Sequence, residues 1–193
     1  MISAIVLAAG ESKRMGQPKM LLPWGNMTVL GQVLTVLRRA NVDDIITVTG
    51  GFREQVEAVA KGHNSRTVFN AEYAINEMLR SIQLGLGSLK AEVEAALICL
   101  GDQPQVQEGS ARKVRETFER SRSRLVVPSY QMRRGHPWLV ARPLWEEILK
   151  MKSPGSPRDF LNAHSKEIEY VEVDNSSILD DLDTPEDYLK FKP

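Results

Sequence analysis

Apolar runs of strand length alternate with helical patterns along most of this chain, and no other feature limits its fold more strongly. Residues 2–7, 45–49 and 96–100 are rich in aliphatic side chains and have the length of buried strands. Apolar residues recur at helical spacing between these runs, most clearly over residues 29–37. Strands that alternate with helices are typical of a sheet with helices on both faces. The sequence therefore predicts an α/β fold, a three-layer Rossmann-like sandwich with a mostly parallel mixed sheet.

The same patterns predict further elements in the rest of the chain. Proline and glycine mark residues 152–157 (KSPGSP) as a loop, and the G-x-G at Gly85 and Gly87 is typical of a helix C-cap. The other expected strands are 67–69, 125–128, 137–141 and 168–173, and the other expected helices are 56–59, 75–89, 106–120, 144–151 and 185–191.

Charge and cysteine content narrow the possible functions. The 25 basic and 25 acidic side chains cancel in a chain of 193 residues, so the electric field that would attract nucleic acid or an anionic membrane is missing. We expect neither as a partner. The single cysteine, Cys99, lies in an apolar run, which indicates a buried side chain in a cytoplasmic protein without disulfides. We expect no signal peptide and no membrane anchor, and the length favours one domain over residues 1–193.

A basic loop that contains glycine follows the first strand, in the stretch VLAAGESKRMGQPKMLL at residues 6–22. The small residues 8–10 let backbone N–H groups approach an anion closely, and Arg14 and Lys19 can neutralise its oxygens. The loop is not a Walker motif, because its two glycines are too far apart and glutamine stands at the lysine position. We interpret it as a cradle for phosphate groups.

The string LAAGESKRMGQPKMLLPWG, which contains this loop, resembles the opening signature of the MobA-like NTP transferases, and within them the molybdenum cofactor cytidylyltransferase branch. The stretches SIQLGL, LGDQP, RGHPWL and DLDTPEDY, which begin at residues 81, 100, 134 and 181, resemble later family segments in the expected order. Together these motifs span nearly the whole chain. The resemblance implies a sandwich of the nucleotide-diphospho-sugar transferase type, with a nucleotide-binding part over 1–104 and an acceptor-binding part over 105–193.

The resemblance also implies roles for individual residues. It places Arg14, Lys19 and Asp102 in catalysis, Asp102 and Asp183 as ligands of Mg²⁺, and Gly135 and His136 at the acceptor. The nucleotide-binding residues that it implies are Leu7, Ala8, Ala9, Gly10, Ser12, Arg14, Lys19 and Ser81.

Physical reasoning supports these roles but leaves alternatives open. Mg²⁺ prefers oxygen ligands. Asp102 follows the carboxyl end of a buried strand, which is where ligands bind in open α/β sheets. An aspartate that only opens a β-turn would also explain this position. Asp183 precedes a helix start, where it stabilises the helix dipole in any case. Ser12 either donates to a phosphate or caps a turn, and His136 is either acceptor-binding or structural. Lys13 is best explained as a solvated lysine.

The resemblance implies the transfer of CMP from CTP to the phosphate of molybdopterin, and a molybdenum enzyme that receives the product. Ala8 and Ala9 before Gly10 favour CTP, because guanylyltransferase relatives carry an extra glycine there. The alternatives are a GTP-dependent guanylyltransferase, a sugar- or alditol-phosphate nucleotidyltransferase, and a catalytically silent nucleotide-binding module or chaperone. Residues 153–158 (SPGSPR) depart from the G-D-x-G-A-R run of the family, on the side where the acceptor is expected.

Overall fold

The computed structural model describes residues 1–75 and 78–193. Aliphatic, β-branched stretches form the strands of one large sheet and of a separate small hairpin. The strands are β1 (Ile2–Ala8), β2 (Pro23–Trp24), β3 (Met27–Thr28), β4 (Asp44–Thr49), β5 (Arg66–Phe69), β6 (Ala95–Leu100), β7 (Leu125–Tyr130), β8 (Arg133–Arg134), β9 (Trp138–Ala141) and β10 (Ile168–Glu172). The helices are α1 (Val29–Arg39), α2 (Arg53–Gly62), α3 (Met78–Gly87), α4 (Glu108–Ser121), α5 (Trp145–Lys150), α6 (Pro157–Ala163) and α7 (Pro185–Phe191).

The large sheet is mixed and mostly parallel, as predicted. Its strand order is β10-β7-β9-β6-β1-β4-β5, with β8 paired to β7. The strand β9 runs antiparallel to both of its neighbours, β6 and β7. The start of β9 therefore lies at the same edge of the sheet as the carboxyl ends of β1, β4 and β6. This edge, which we call the carboxyl edge, gathers the loops that follow these three strands and the segment before β9.

Two apolar clusters cover the two faces of the sheet and make the sandwich three-layered. Side chains of β1 alternate between them, with Ala4 and Val6 in one cluster and Ile5 and Leu7 in the other. The first cluster contains side chains of α1, α2 and α4, and the second contains side chains of α3, α5 and α6. Cys99 is buried in the first cluster, and this burial raises the pKa of its thiol.

Most predicted elements form, with shifted ends. The expected helix 75–89 is α3, which begins at Met78, and residues 76 and 77 of the prediction lie outside the described residues. Gly85 lies inside α3 and not at its cap. Glycine is required there by packing, because a Cβ would collide with the Ile5 side chain of β1. Gly87 is the last helical residue, as expected.

The expected loop 152–157 ends in a helix that the sequence pattern did not indicate. Ser156 caps α6, since its hydroxyl accepts from the Asp159 N–H and the Asp159 carboxylate accepts from the Ser156 N–H in return. Pro157 occupies the first turn, where its missing N–H costs nothing. In the described part of the chain, no helix has both the length and the apolar character needed to span a membrane.

Candidate active site at the carboxyl edge

Close backbone contacts join the loops at the carboxyl edge. The N–H of Gly51, after β4, donates to the carbonyl of Ala9, after β1, at 3.0 Å. The N–H of Gly101, after β6, donates to the carbonyl of Leu7 at 3.0 Å. A Cβ at Gly50 would collide with the carbonyl of Ala9, so glycine is required for this approach. The three loops therefore form one surface. Leu7, which is predicted to bind nucleotide, contributes its backbone carbonyl to the contacts that join them.

The loop after β1 is a tight turn that returns on itself. Ser12 has a positive φ of 55°, and its carbonyl accepts from the Gly16 N–H at 3.1 Å. The Ser12 hydroxyl oxygen accepts from the backbone N–H of Lys19 at 3.1 Å, and the hydroxyl proton stays available as a donor. Open space surrounds the Cα of Gly10, so packing does not require glycine there. The turn brings the predicted phosphate cradle close to Lys19. Ala8, Ala9 and Gly10 form the part of the cradle next to β1.

An ion network connects this loop with two others. The Lys19 ammonium donates to Asp102 Oδ2 and, at 3.3 Å, to Asp183 Oδ1. Arg14 Nη1 lies 2.9 Å from Asp183 Oδ2. Lys19 is only 12% exposed and Asp102 14%, whereas Arg14 is 73% exposed. Lys19 thus joins Asp102 to Asp183, and Asp183 joins Lys19 to Arg14, so the four residues assigned to catalysis and metal binding by sequence form one connected network.

The environment of Lys19 keeps it charged. Burial alone would lower its pKa, but the carboxylates of Asp102 and Asp183 together more than oppose this effect, and the pKa lies above its ordinary value. Lys13 lies apart from the network, since it is exposed and pairs with Glu11 at 2.8 Å. The structure thus places Lys13 in solvent, as expected from sequence.

The C-terminal segment contacts the Asp102 turn through hydrogen bonds that the sequence pattern did not indicate. Gln103 Nε2 donates to Asp181 Oδ1 at 2.7 Å, and the Leu182 N–H donates to the Asp102 carbonyl at 3.2 Å. Burial, reinforced by the Asp102 charge, raises the pKa of Asp181 to about 6. Gln103 and Asp181 were not among the predicted site residues, although they lie in the motifs LGDQP and DLDTPEDY. The only sequence signal for them is that several polar side chains stand close together in these motifs.

Ser81 and the two acceptor residues lie outside the ion network. Ser81 is buried on α3, and its hydroxyl accepts from Asn70 Nδ2 at 3.1 Å. Gly135 packs against the Ile178 carbonyl so closely that a Cβ would collide with it. The His136 N–H donates to the same carbonyl at 3.0 Å, and burial lowers the pKa of the ring to about 4, so it is neutral near pH 7. Local packing and hydrogen bonding explain these positions, and their ligand roles stay predictions.

The carboxylates fit a hard divalent cation that keeps part of its water. Asp102 and Asp183 both contact a single ammonium nitrogen, so one cation can contact both. No group of three or more His, Cys, Asp or Glu side chains in residues 1–75 and 78–193 is arranged to hold a metal. Two carboxylates, supplemented by water and phosphate oxygens, are the donor set typical of Mg²⁺. Two protein ligands are fewer than the three or four that Zn²⁺ sites use.

Known proteins resemble this chain over nearly its full length. The molybdenum cofactor cytidylyltransferase of Escherichia coli (strain K12) is 30% identical over 196 residues, which cover 99% of this chain and 95% of that protein. The crystal structure of Rv0371c from Mycobacterium tuberculosis H37Rv superposes with a TM-score of 0.85 at 28% identity, over 98% of this chain and 96% of that one. The crystal structure of the Rv0371c complex with manganese gives 0.81 at 27% identity, over 99% and 97%.

These likenesses confirm the expected nucleotide-diphospho-sugar transferase type of sandwich. Residues 4–168 match the family described as the MobA-like NTP transferase domain, which is well over half of the chain. The loop after β1 and the Asp102 turn both fall within the matched range. This chain belongs to the MobA-like NTP transferase family and is a nucleotidyltransferase.

Proposed function

We propose that this enzyme transfers CMP from CTP to the terminal phosphate of molybdopterin or its molybdenum form. An oxygen of the acceptor phosphate attacks the α-phosphorus of CTP, and the bond from that phosphorus to the β-bridging oxygen breaks. Pyrophosphate leaves and a diphosphate linkage remains. The acceptor and the nucleotide are proposed from the E. coli relative, whose name carries both, at 30% identity over 99% of the chain.

The single observation that supports this chemistry best is the ion network. Nucleotidyl transfer needs cations to stabilise the charge on the α-phosphate and on the leaving pyrophosphate, and it needs little covalent work from the protein. Lys19 and Arg14 supply two such cations on the loop after β1, and Asp102 and Asp183 lie beside them. We propose that Asp102 and Asp183 hold Mg²⁺, which when bound neutralises phosphate oxygens. The manganese complex of Rv0371c supports a divalent ion in this family.

The chain's own residues then have distinct proposed roles. Leu7, Ala8, Ala9 and Gly10 offer backbone to the nucleotide, and the Ser12 hydroxyl can donate to a phosphate. In nucleotide-free protein, Lys19 compensates the charge of both carboxylates. With a triphosphate present, its ammonium has a phosphate oxygen as a further anionic partner. Arg14 is exposed, so it can follow the phosphate tail without loss of burial.

The two parts of the chain also divide the substrates in this proposal. Residues 1–104 bind the nucleotide, and Ser81 contributes to this part from helix α3. Residues 105–193 bind the acceptor, with Gly135 and His136 in the segment just before β9, which the antiparallel pairing brings to the carboxyl edge. A neutral His136 ring can donate one hydrogen bond to an acceptor oxygen. A molybdenum enzyme is the proposed recipient of the product.

Pyrophosphate release from each of the four nucleoside triphosphates, with and without molybdopterin and in the presence of Mg²⁺, tests the proposal. We expect release with CTP and molybdopterin and little without the acceptor. A preference for GTP would instead identify a guanylyltransferase. Release with a sugar phosphate but not with molybdopterin would replace the acceptor, and nucleotide binding without any release would favour the silent module.

A further inference from the structure

We propose that Gln103 is a positioning residue, which sets the separation of the Asp102 and Asp183 carboxylates by holding Asp181 across the two loops. This inference rests on the metal role proposed above for Asp102 and Asp183. In the proposed function, Gln103 contacts neither the cation nor the nucleotide. It acts only by setting the relative positions of the two metal-binding carboxylates.

The hydrogen bond of Gln103 is buried and has a defined direction. The side chain is 3% exposed, and its Nε2 donates to Asp181 Oδ1 at 2.7 Å. Only the NH₂ end of an amide can donate to a carboxylate, so this contact fixes the orientation of the amide. Its Oε1 has no hydrogen-bond partner within the described residues. The side chain is therefore held by one hydrogen bond to the Asp181 carboxylate. Such charge-assisted hydrogen bonds are stronger than bonds between neutral groups.

Neighbouring hydrogen bonds transmit this contact to both carboxylates. The Leu182 N–H donates to the Asp102 carbonyl at 3.2 Å, and Gln105 Nε2 donates to the Asp180 carbonyl. Gln103 directly follows Asp102, and Asp181 lies two residues before Asp183. A change in the Gln103 to Asp181 distance therefore alters the spacing of the two ligands. Displacements of about 1 Å in a catalytic constellation can cost ~10²-fold in rate.

Packing alone does not require an amide at position 103. Gln103 lines a small cavity whose other lining residues, such as Leu37 and Val106, are apolar with the exception of His136. A leucine at this position would keep apolar contacts on that side. The polar side chain is thus explained by its contact with Asp181 rather than by the core.

A set of matched variants tests the positioning role. Gln103→Leu removes the donor, Asp181→Leu removes the acceptor, and Asp181→Asn keeps an oxygen that can still accept from Gln103. Gln107→Leu is the control, because Gln107 lies after the LGDQP stretch and accepts an exposed hydrogen bond from Asn175 Nδ2, before the DLDTPEDY stretch, at 3.2 Å. The measurements are Mn²⁺ affinity of the nucleotide-free protein by electron paramagnetic resonance, kcat, KM for CTP, and Tm.

Loss of an outer hydrogen-bond partner of a metal ligand typically costs 10- to 100-fold in affinity or activity. We expect Gln103→Leu and Asp181→Leu to weaken Mn²⁺ binding about 10-fold and lower kcat about 10- to 100-fold, with KM for CTP nearly unchanged. Asp181→Asn should recover most of both losses relative to Asp181→Leu, and Gln107→Leu should match the wild type. A purely structural role would lower Tm in both leucine variants without this recovery.

Unchanged Mn²⁺ affinity and kcat in Gln103→Leu, beside a wild type that binds Mn²⁺, would overturn the positioning role alone. A wild type that binds no Mn²⁺ would overturn the metal assignment and the positioning role with it. If Gln103→Leu does not fold, the double variant Gln103→Leu/Asp181→Leu, which leaves no buried carboxylate without its donor, gives the same readouts. Wild-type values in that double variant would equally contradict the proposal.

Discussion

The two edges of the sheet carry similar ion pairs in different surroundings. At the amino-terminal edge, opposite the carboxyl edge, Arg122 and Glu94 join the segments before β7 and β6 at 3.0 Å, with exposures of 63% and 56%. At the carboxyl edge, Lys19 and Asp102 likewise join two separate loops, but both side chains are nearly buried. Exposed pairs contribute little to stability, and buried ones cost desolvation. The buried network at the carboxyl edge is therefore better explained by the proposed chemistry than by stability.

Removing the charge of Asp102 should give the largest loss of activity, and so distinguish the carboxyl edge most clearly from the amino-terminal edge. Asp102→Asn keeps the shape of the side chain but loses one proposed metal ligand and one partner of Lys19. Because preorganised electrostatic groups can each be worth 10²- to 10³-fold in kcat, we expect turnover to fall by about 10³-fold. Pyrophosphate release measures this fall, and a folded, wild-type-like circular dichroism spectrum is the control. Wild-type kinetics would remove Asp102 from the mechanism.

Replacing Lys19 should have two opposite effects. Lys19→Met removes a cation proposed to contact the triphosphate, and we expect kcat/KM for CTP to fall by about 10²-fold. The same change removes the ammonium that Asp102 and Asp183 share, so Mn²⁺ should bind more tightly to the nucleotide-free protein. Kinetics and electron paramagnetic resonance report the two effects separately. Weaker Mn²⁺ binding in Lys19→Met would show that the ammonium does not compete with the metal.

Arg14 should matter less, because it is mostly exposed and contacts Asp183 alone in the network. We expect Arg14→Ala to raise KM for CTP by about 10-fold with a smaller change in kcat, as for loss of one screened phosphate contact. Lys13→Ala removes an equal charge from the same turn without contact to the network, and it should stay close to wild type. Equal effects of the two variants would indicate a general charge effect instead of a specific contact.

The smallest effect is expected at the amino-terminal edge. Arg122→Ala breaks the exposed pair with Glu94, which also pairs with the N-terminal amine at 3.3 Å. We expect unchanged kinetics with CTP and a Tm within about 2 °C of wild type. Steady-state kinetics and thermal unfolding check both values. A loss of activity here would contradict the assignment of function to the opposite edge.

The sequence predicted the layers better than the short elements. Alternating aliphatic runs were sufficient for β1, β4 and β6, because a buried strand needs several apolar residues in a row. The hairpin of β2 and β3 and the strand β8 have two residues each, which is too short for a periodic signal. Helix α6 was missed because its capping serine lies among prolines and a glycine, which together resemble a loop.

At the site, sequence motifs identified the charged residues but not their supports. Lys19, Asp102 and Asp183 each lie in a contiguous family motif, so local sequence was enough to name them. The contact of Gln103 with Asp181 depends on how the C-terminal segment returns to the β6 turn. Hydrogen bonds between distant loops follow from the tertiary path of the chain, and a single sequence does not encode that path in any local pattern.

The most direct measurement is a crystal structure with Mn²⁺ and a non-hydrolysable CTP analogue, in which anomalous scattering locates the metal. We predict one Mn²⁺ in contact with oxygens of Asp102 and Asp183 and of the nucleotide, with Lys19 or Arg14 on the phosphates. Metal bound elsewhere, or a triphosphate that lies away from the turn after β1, would contradict this prediction.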